Sequence, residues 1–377
     1  MTTFTTEQLV QIRRELHQHP ELSNQEFATT ERITRWLQQS DIRLLPLGLK
    51  TGVVAEIGQG ESLIALRADI DALPIEEATK LPWRSQNPGV MHACGHDVHT
   101  TVMLGVAQQL KLQEASLPGR VRILFQPAEE TFNGAQQLID AGALEGVQAI
   151  FGMHNAPELP IGTFRTRGGA YYANVDRFTL RIHGKGAHAA RPQEGIDVIP
   201  IASQIVTALH AIPARQFSAL DSVVISVTRF TAGNTWNVLP ETVELEGTVR
   251  THDTTIRSLI PEKIRRLAQG IAAGFDARVE LEWQEGPPAV INTPEWADFA
   301  LNLAQKQGYA TQTATPLMGG EDFAFYLHHV PGVFVSIGSS SLFGLHHPQF
   351  DPNEALIGSA VSYFTALAPL ALKAAAC

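Results

Sequence analysis

The sequence predicts an α/β protein in which a mostly parallel sheet flanked by helices is interrupted by an inserted ferredoxin-like α+β unit. Three observations carry this. In both flanks of the chain, short apolar strands alternate with helical runs, the texture of a largely parallel sheet. Three of those strands run into polar residues able to do metal or proton chemistry, at Asp69, at the Glu129-Glu130 pair and at His154. In parallel sheets ligands bind beyond the carboxyl ends of the strands, so this recurrence marks a candidate site. Between about Ala173 and Gln284 the order becomes strand, helix, strand, strand, helix, strand, which is a two-layer ferredoxin-like unit in its own right. The expected division is 1–172 and 285–377 for the sheet-and-helix part and 173–284 for the insertion.

Taken in order, Thr5-Thr6-Glu7-Gln8 reads as a capping box before Leu9, Ile12 and Leu16, spaced as one helix face, with a stop near Pro20. Ser23-Asn24-Gln25-Glu26 reads as a second cap before Phe27, Ile33, Trp36 and Leu37. His17 and His19, between the two, are assigned surface or packing roles. Gly52 to Ile57 and Ser62 to Leu66 are apolar and bounded by turn residues, the form of buried strands. A helix from about His99 to Lys111 precedes a strand from Arg120 to Gln126, a helix from Gly134 to Ala141 and a strand from Ala149 to Met153. In the insertion, strands are expected at Asp176 to His183, Ser222 to Ala232, Glu241 to Thr251 and Arg278 to Trp283, and helices at Asp197 to Ile212 and Thr255 to Phe275. After Pro287-Pro288 come helices at Thr293 to Gln307 and Asp322 to His328 and a strand at Gly332 to Ile337. Ala355 to Leu372 carries no charge for 18 residues, the minimum for a membrane helix. Its Gly358, Ser359, Ser362, Thr365 and Pro369 favour a core helix instead.

The net charge is −10, and no Lys/Arg run exceeds a pair, so a polyanion finds no footprint and nucleic acid is not an expected partner. No membrane association is expected either. The two cysteines, Cys94 and Cys377, cannot form a disulfide framework and fit a reducing compartment. The first residues lack a basic n-region and an apolar h-region, so the expected location is cytoplasmic.

The densest chemistry is in Met91 to Thr100, which sets a thiol, three imidazoles and a carboxylate around Gly95. That mixture of soft and borderline donors suits a zinc-like cation. A hydrolytic two-metal site needs ligands from several elements and one carboxylate kept off the metals to take a proton from water. Cys94, His96, Glu130, His154 and a late histidine supply the ligands. Consecutive side chains in an extended segment point in opposite directions, so of Glu129 and Glu130 one is expected to bind and the other to act as base.

Together with Arg67 to Pro74, Gln126 to Glu130, Gly184 to Ala190, Gly319 to Phe323 and Leu345 to Pro348, this stretch resembles the aminoacylase-type metallopeptidases. Within them the chain is similar to the branch of bacterial N-acyl-amino-acid amidohydrolases, hippurate hydrolases and plant auxin-conjugate hydrolases. The resemblance implies a zinc-exopeptidase-like catalytic domain with two divalent ions, zinc, manganese, nickel or cobalt, and an inserted lid that forms a homodimer. It implies hydrolysis of the amide of a small N-acyl amino acid. Carried over by motif, Cys94, His96, Glu130, His154 and His346 are the ligands and Glu129 the general base. Asp69 orients a ligand, His188 is an oxyanion donor, and Asn237 and Arg250 hold the substrate carboxylate. His346 is preferred to His347 because the motif places the ligand two before the proline. His92 and His99 are assigned roles in the structure or in supporting the ligands, not in binding the metals. Arg67 departs from related exopeptidases, which carry a ligating histidine there. Competing readings are a carboxypeptidase or dipeptidase of the same family, a thiol hydrolase using Cys94, and a binding module with a defunct site. A zinc deaminase is disfavoured because no Pro-Cys-x-x-Cys accompanies His92 or His96.

Overall fold

The opening helix, Thr6–Gln18, starts where its sequence asks it to, since the Thr5 side chain accepts from Gln8 N and the Gln8 side chain accepts from Thr5 N. A computed structural model describes residues 4–376 and divides into two units. The first contains the chain up to Tyr171, Ile291–Thr315 and everything described from Asp322 on; the second contains Tyr172–Val290 and Pro316–Glu321. The second helix, Phe27–Gln39, is capped differently from the sequence reading: Glu26 makes no side-chain cap. The carboxylate of Glu21 accepts from Ala28 N and Thr29 N instead. Ser23 is drawn away to Asp71.

The first unit is built on an eight-stranded sheet. Its centre is four mutually parallel strands in the spatial order Arg120–Gln126, Leu63–Asp69, Ala149–Ala156 and Gly332–Gly338. Short strands at Arg43–Leu44, Thr163–Thr166 and Ala310–Thr313, which the sequence reading did not anticipate, extend it towards the edges. The central strands are buried throughout, so apolar residues occupy both faces rather than alternating. Leu66, Ile123, Phe151 and Val335 pack with Val98, Val102 and Val106 of the helix His96–Leu112 and with Leu356, Tyr363 and Leu367 of Ala355–Ala375. Each such side chain contributes about 1.5–3 kcal/mol by leaving water. Ala355–Ala375 is long and apolar enough to cross a membrane by length and composition, yet ten of its residues are buried in this core.

In the second unit an antiparallel sheet has the order Val223–Ala232, Thr242–Thr251, Asn174–His183, Arg278–Glu285. The helices Val198–Leu209 and Thr254–Ala273 pack through Ile201, Ile205, Ile260 and Ile264 on Phe178, Leu180 and Leu245 of the sheet. Thus the six main elements occur in the ferredoxin-like order.

Candidate metal centre

All four parallel strands deliver side chains at their carboxyl ends. The strand ending at Asp69 leads into Asp71, and His154 sits near the end of Ala149–Ala156. Beyond Gly338, the last strand opens into the loop that carries His346. The helix His96–Leu112 begins three residues earlier than expected, which places His96 in its first turn and Cys94 just before it. Gly95 makes that entry possible. Its φ is 89°, and a Cβ there would come within 2.4 Å of Asn155 Nδ2, which donates to Cys94 O at 2.7 Å.

The Glu129-Glu130 pair differs from expectation. Ala128 adopts a left-handed φ of 53°, held by its N–H donating to the buried Glu26 at 2.8 Å, and the pair lies in a turn rather than an extended segment. The two carboxylates therefore converge instead of diverging, and ligand atoms of His96, Glu129 and Glu130 lie within 4.8 Å of one another. Cys94, His96 and His154 form a second such group, and Cys94, Glu130 and His346 a third. His347 faces elsewhere: its ring stacks on Phe343 with centroids 4.5 Å apart.

Hydrogen bonds fix how the imidazoles face this cluster. His96 Nδ1 lies 2.9 Å from Asp71 O and 3.1 Å from Asp71 Oδ1, both acceptors, so Nδ1 carries a proton and Nε2 is the nitrogen turned towards the cluster. His154 Nδ1 likewise faces Asn155 O at 2.8 Å, leaving Nε2 towards Cys94 Sγ at 3.3 Å. His99 donates from Nδ1 to Asp69 Oδ1 at 2.6 Å and accepts from Asn155 N at Nε2, which makes it a bracing group. Asp69 also accepts from Arg67 at 2.6 Å and stands 3.6 Å from His96 Nε2. The carboxylate behind His96 is thus Asp71. Sequence reasoning passed over it, although residues 69 and 71 share the period of two that would have signalled it. Arg67 is fully buried and bonds Asp69, Gln126 and Asp322, so a fixed positive charge lies under the cluster.

These residues fit a cation. His96 Nε2 and Glu130 Oε1 are buried and have no hydrogen-bond partner among the described residues, a costly arrangement for a folded protein to keep without purpose. Burial alone would depress the His96 imidazole, but Asp69, Asp71 and Glu130 outweigh it and raise its pKa to about 10. The negative field that favours a proton on the ring also favours a cation in its place. His154, by contrast, is pushed down to about 3 by burial and by His99, and stays a neutral donor. His92 falls to about 4, chiefly through burial, and belongs to none of the groups. His17 is buried against Asp97 at 2.8 Å and Glu77 at 3.3 Å, a packing role.

His188, Asn237 and Arg250 belong to the second unit. There the short strands Ala187–His188 and Val238–Leu239 pair, and Ala189 N donates to Asn237 O at 3.0 Å. Arg250 donates to Thr248 and to Val249 O, and makes no ion pair among the described residues.

Comparison with known proteins places this arrangement. Residues 65–368 match the model of Peptidase family M20/M25/M40. The chain is 47% identical over 368 residues to an N-acetylcysteine deacetylase of Bacillus subtilis strain 168, covering 97% of each. It is 45% identical over 359 residues to an N-acetyl-L-cysteine deacetylase of the same organism, covering 95% of this chain and 86% of the relative. The crystal structure of the Bacillus subtilis YXEP protein, described as a dinuclear metal binding peptidase from the M20 family, aligns with a TM-score of 0.88 at 45% identity over 98% of each chain. A family match that runs from the first parallel strand to the C-terminal helix, over a cluster of thiol, imidazole and carboxylate donors, means that the chain belongs to Peptidase family M20/M25/M40, in its amidohydrolase branch, and is a metal-dependent hydrolase.

Proposed function

We propose that this protein hydrolyses the amide bond of N-acyl-L-amino acids, adding water to give a carboxylic acid and a free amino acid. One observation carries the reading: Cys94, His96, Glu130, His154 and His346 converge, His96 Nε2 and Glu130 Oε1 are buried with no hydrogen bond among the described residues, and Glu129 stands beside them. Those five side chains would hold two divalent cations from the set zinc, manganese, nickel and cobalt, and a thiol with imidazoles suits zinc in particular. When bound, such cations supply Lewis acidity, which polarises the amide carbonyl and acidifies the attacking water. Glu129 takes the proton of that water and returns it to the departing amine nitrogen. Its Oε1 accepts from Asp322 N at 3.4 Å, which aims the carboxylate. Arg250 and Asn237 are assigned the substrate carboxylate, for which the planar fork of a guanidinium is well shaped. His188 is assigned the oxyanion. Its Nδ1 accepts from Ala190 N at 3.1 Å, so Nε2 bears the proton and can donate. The buried free thiol of Cys94 suits the reducing cytoplasm expected from composition.

The names of the two deacetylases make acetyl conjugates the first substrates to try, ahead of benzoyl and indole-acetyl ones. A panel of such amino-acid conjugates should be turned over, the activity should vanish with a chelator and return with added metal, and Glu129→Gln should lower kcat at least about 10²-fold with metal content unchanged. Cleavage of dipeptides without turnover of any acyl amino acid would instead favour the peptidase reading. Near-normal kcat in Glu129→Gln would remove Glu129 from the mechanism.

A further inference from the structure

Asp71 lies two residues past the strand Leu63–Asp69, is 1% exposed, and has no part in the chemistry above. Its contacts converge on the centre. Asp71 O and Oδ1 both face His96 Nδ1, at 2.9 and 3.1 Å, and Oδ2 accepts from Glu130 N at 3.0 Å and from Ser23 Oγ at 2.6 Å. Two groups assigned to the metal, from different elements, are therefore tied to one carboxylate. The neighbouring Asp69 cannot do this, because it stands 3.6 Å from Nε2, the side of the ring that faces the cluster, and is occupied by His99 and Arg67.

We propose that Asp71 is the positioning residue of the centre, fixing the tautomer of His96 and the spacing between His96 and Glu130 before any cation arrives. The anion behind the ring makes Nε2 a stronger donor, and the bond to Glu130 N anchors the turn that follows the left-handed Ala128. Ser23 completes the arrangement by holding Oδ2, and the chain around Asp71 is itself pinned by Ala72 N donating to Glu21 O at 2.8 Å. The inference rests on the reading that His96 and Glu130 bind metal.

The test is a Zn²⁺ titration of the metal-free full-length protein against a chromophoric chelator, for wild type, Asp71→Asn, Ser23→Ala and His96→Ala. Asp71→Asn keeps the shape but loses the charge and presents an N–H to Glu130 N or Ser23, so its zinc affinity should fall about 10- to 100-fold. Its kcat on an acetyl amino acid should recover as zinc is raised, with KM unchanged. A merely structural role would lower the melting temperature of the metal-free protein and leave the zinc affinity of the folded fraction alone. If Asp71→Asn does not fold, Ser23→Ala decides: freeing Oδ2 should weaken zinc binding by about threefold or more, the scale of one hydrogen bond. Unchanged zinc affinity in the folded variant overturns the proposal. If His96→Ala loses zinc while Asp71→Asn and Ser23→Ala keep it, the Asp71 inference alone fails; if His96→Ala also keeps it, the metal-centre reading fails and takes this inference with it.

Discussion

Cys94 Sγ stands 3.3 Å from His154 Nε2, the spacing of a thiol and its base, and its surroundings decide against that use. Burial pushes the thiol well above its ordinary pKa, and the carboxylates of Glu130, Glu129 and Asp69 push it further. A nucleophilic cysteine needs the opposite environment, one that favours the thiolate in the resting protein. A cation among the same ligands would remove the thiol proton outright. Cys94→Ser should therefore lower bound zinc at equal free zinc, measured by elemental analysis after gel filtration, because a hydroxyl is a poor ligand for a soft ion. The wild type should form no covalent adduct with an acyl substrate in rapid-quench mass spectrometry. A full metal complement in Cys94→Ser, together with an acyl adduct on the wild type, would make Cys94 the nucleophile. At this scale the residue types were legible in the sequence and the roles of close neighbours were not. The convergence of Glu129 with Glu130 depends on one left-handed residue, Ala128, and nothing in Pro127-Ala128-Glu129 announces it. Asp322 reaches Gln126 and Arg67 from far along the chain, a pairing that no local pattern encodes.

The strands that present the site are braced from their far ends by an ion cluster. Glu56 accepts from Arg122 Nη2 at 2.8 Å, from Arg43 at 2.7 Å and from Arg120 at 3.2 Å, while Arg122 also donates to Ala143 O and Glu145 O in the turn that feeds the strand bearing His154. Burial raises the Glu56 carboxyl, but Arg122 and then Arg120 outweigh it, so its pKa lies below the ordinary 4.5. A depressed carboxylate stabilises the fold above its unfolded value and loses that contribution as pH falls through the folded one. Glu56→Gln should thus cost about 1–2 kcal/mol at pH 7, the scale of hydrogen bonds to a charged group. The gap to wild type, read from urea midpoints, should close as pH drops below about 4.5. A gap that stays constant down to acid pH would mean that the carboxylate's charge contributes nothing. Element existence was legible wherever a capping box or an apolar run marked it, as at Thr5 and at Arg120–Gln126. The cap of the second helix was not, because Glu21 reaches it from outside the usual spacing while Ser23 serves Asp71.

For the molecule as a whole, the alternation of strands and helices and the inserted six-element order were legible because period and turn residues are local signals; which strands become neighbours is set by long-range pairing and was not. In the second unit that pairing leaves Val223–Ala232 as an edge strand, with Val224 and Phe230 exposed and the large Trp236 92% exposed beyond it. An apolar edge of this kind invites pairing with another chain. We propose that two copies close on each other through this unit as an isologous dimer, and that His188 of one copy serves as the oxyanion donor for the centre of the other. His188→Ala should cost about 10² to 10³ in kcat, the scale of one lost donor. The decisive measurement mixes two inactive homodimers, His188→Ala and Glu129→Ala, under conditions that exchange subunits. In a mixed dimer one centre carries both defects and the other carries neither, so activity should rise towards half of wild type for each heterodimer formed. If mass spectrometry verifies exchange and activity stays at the level of the parents, His188 acts within its own chain or not at all, and the shared-site dimer is wrong.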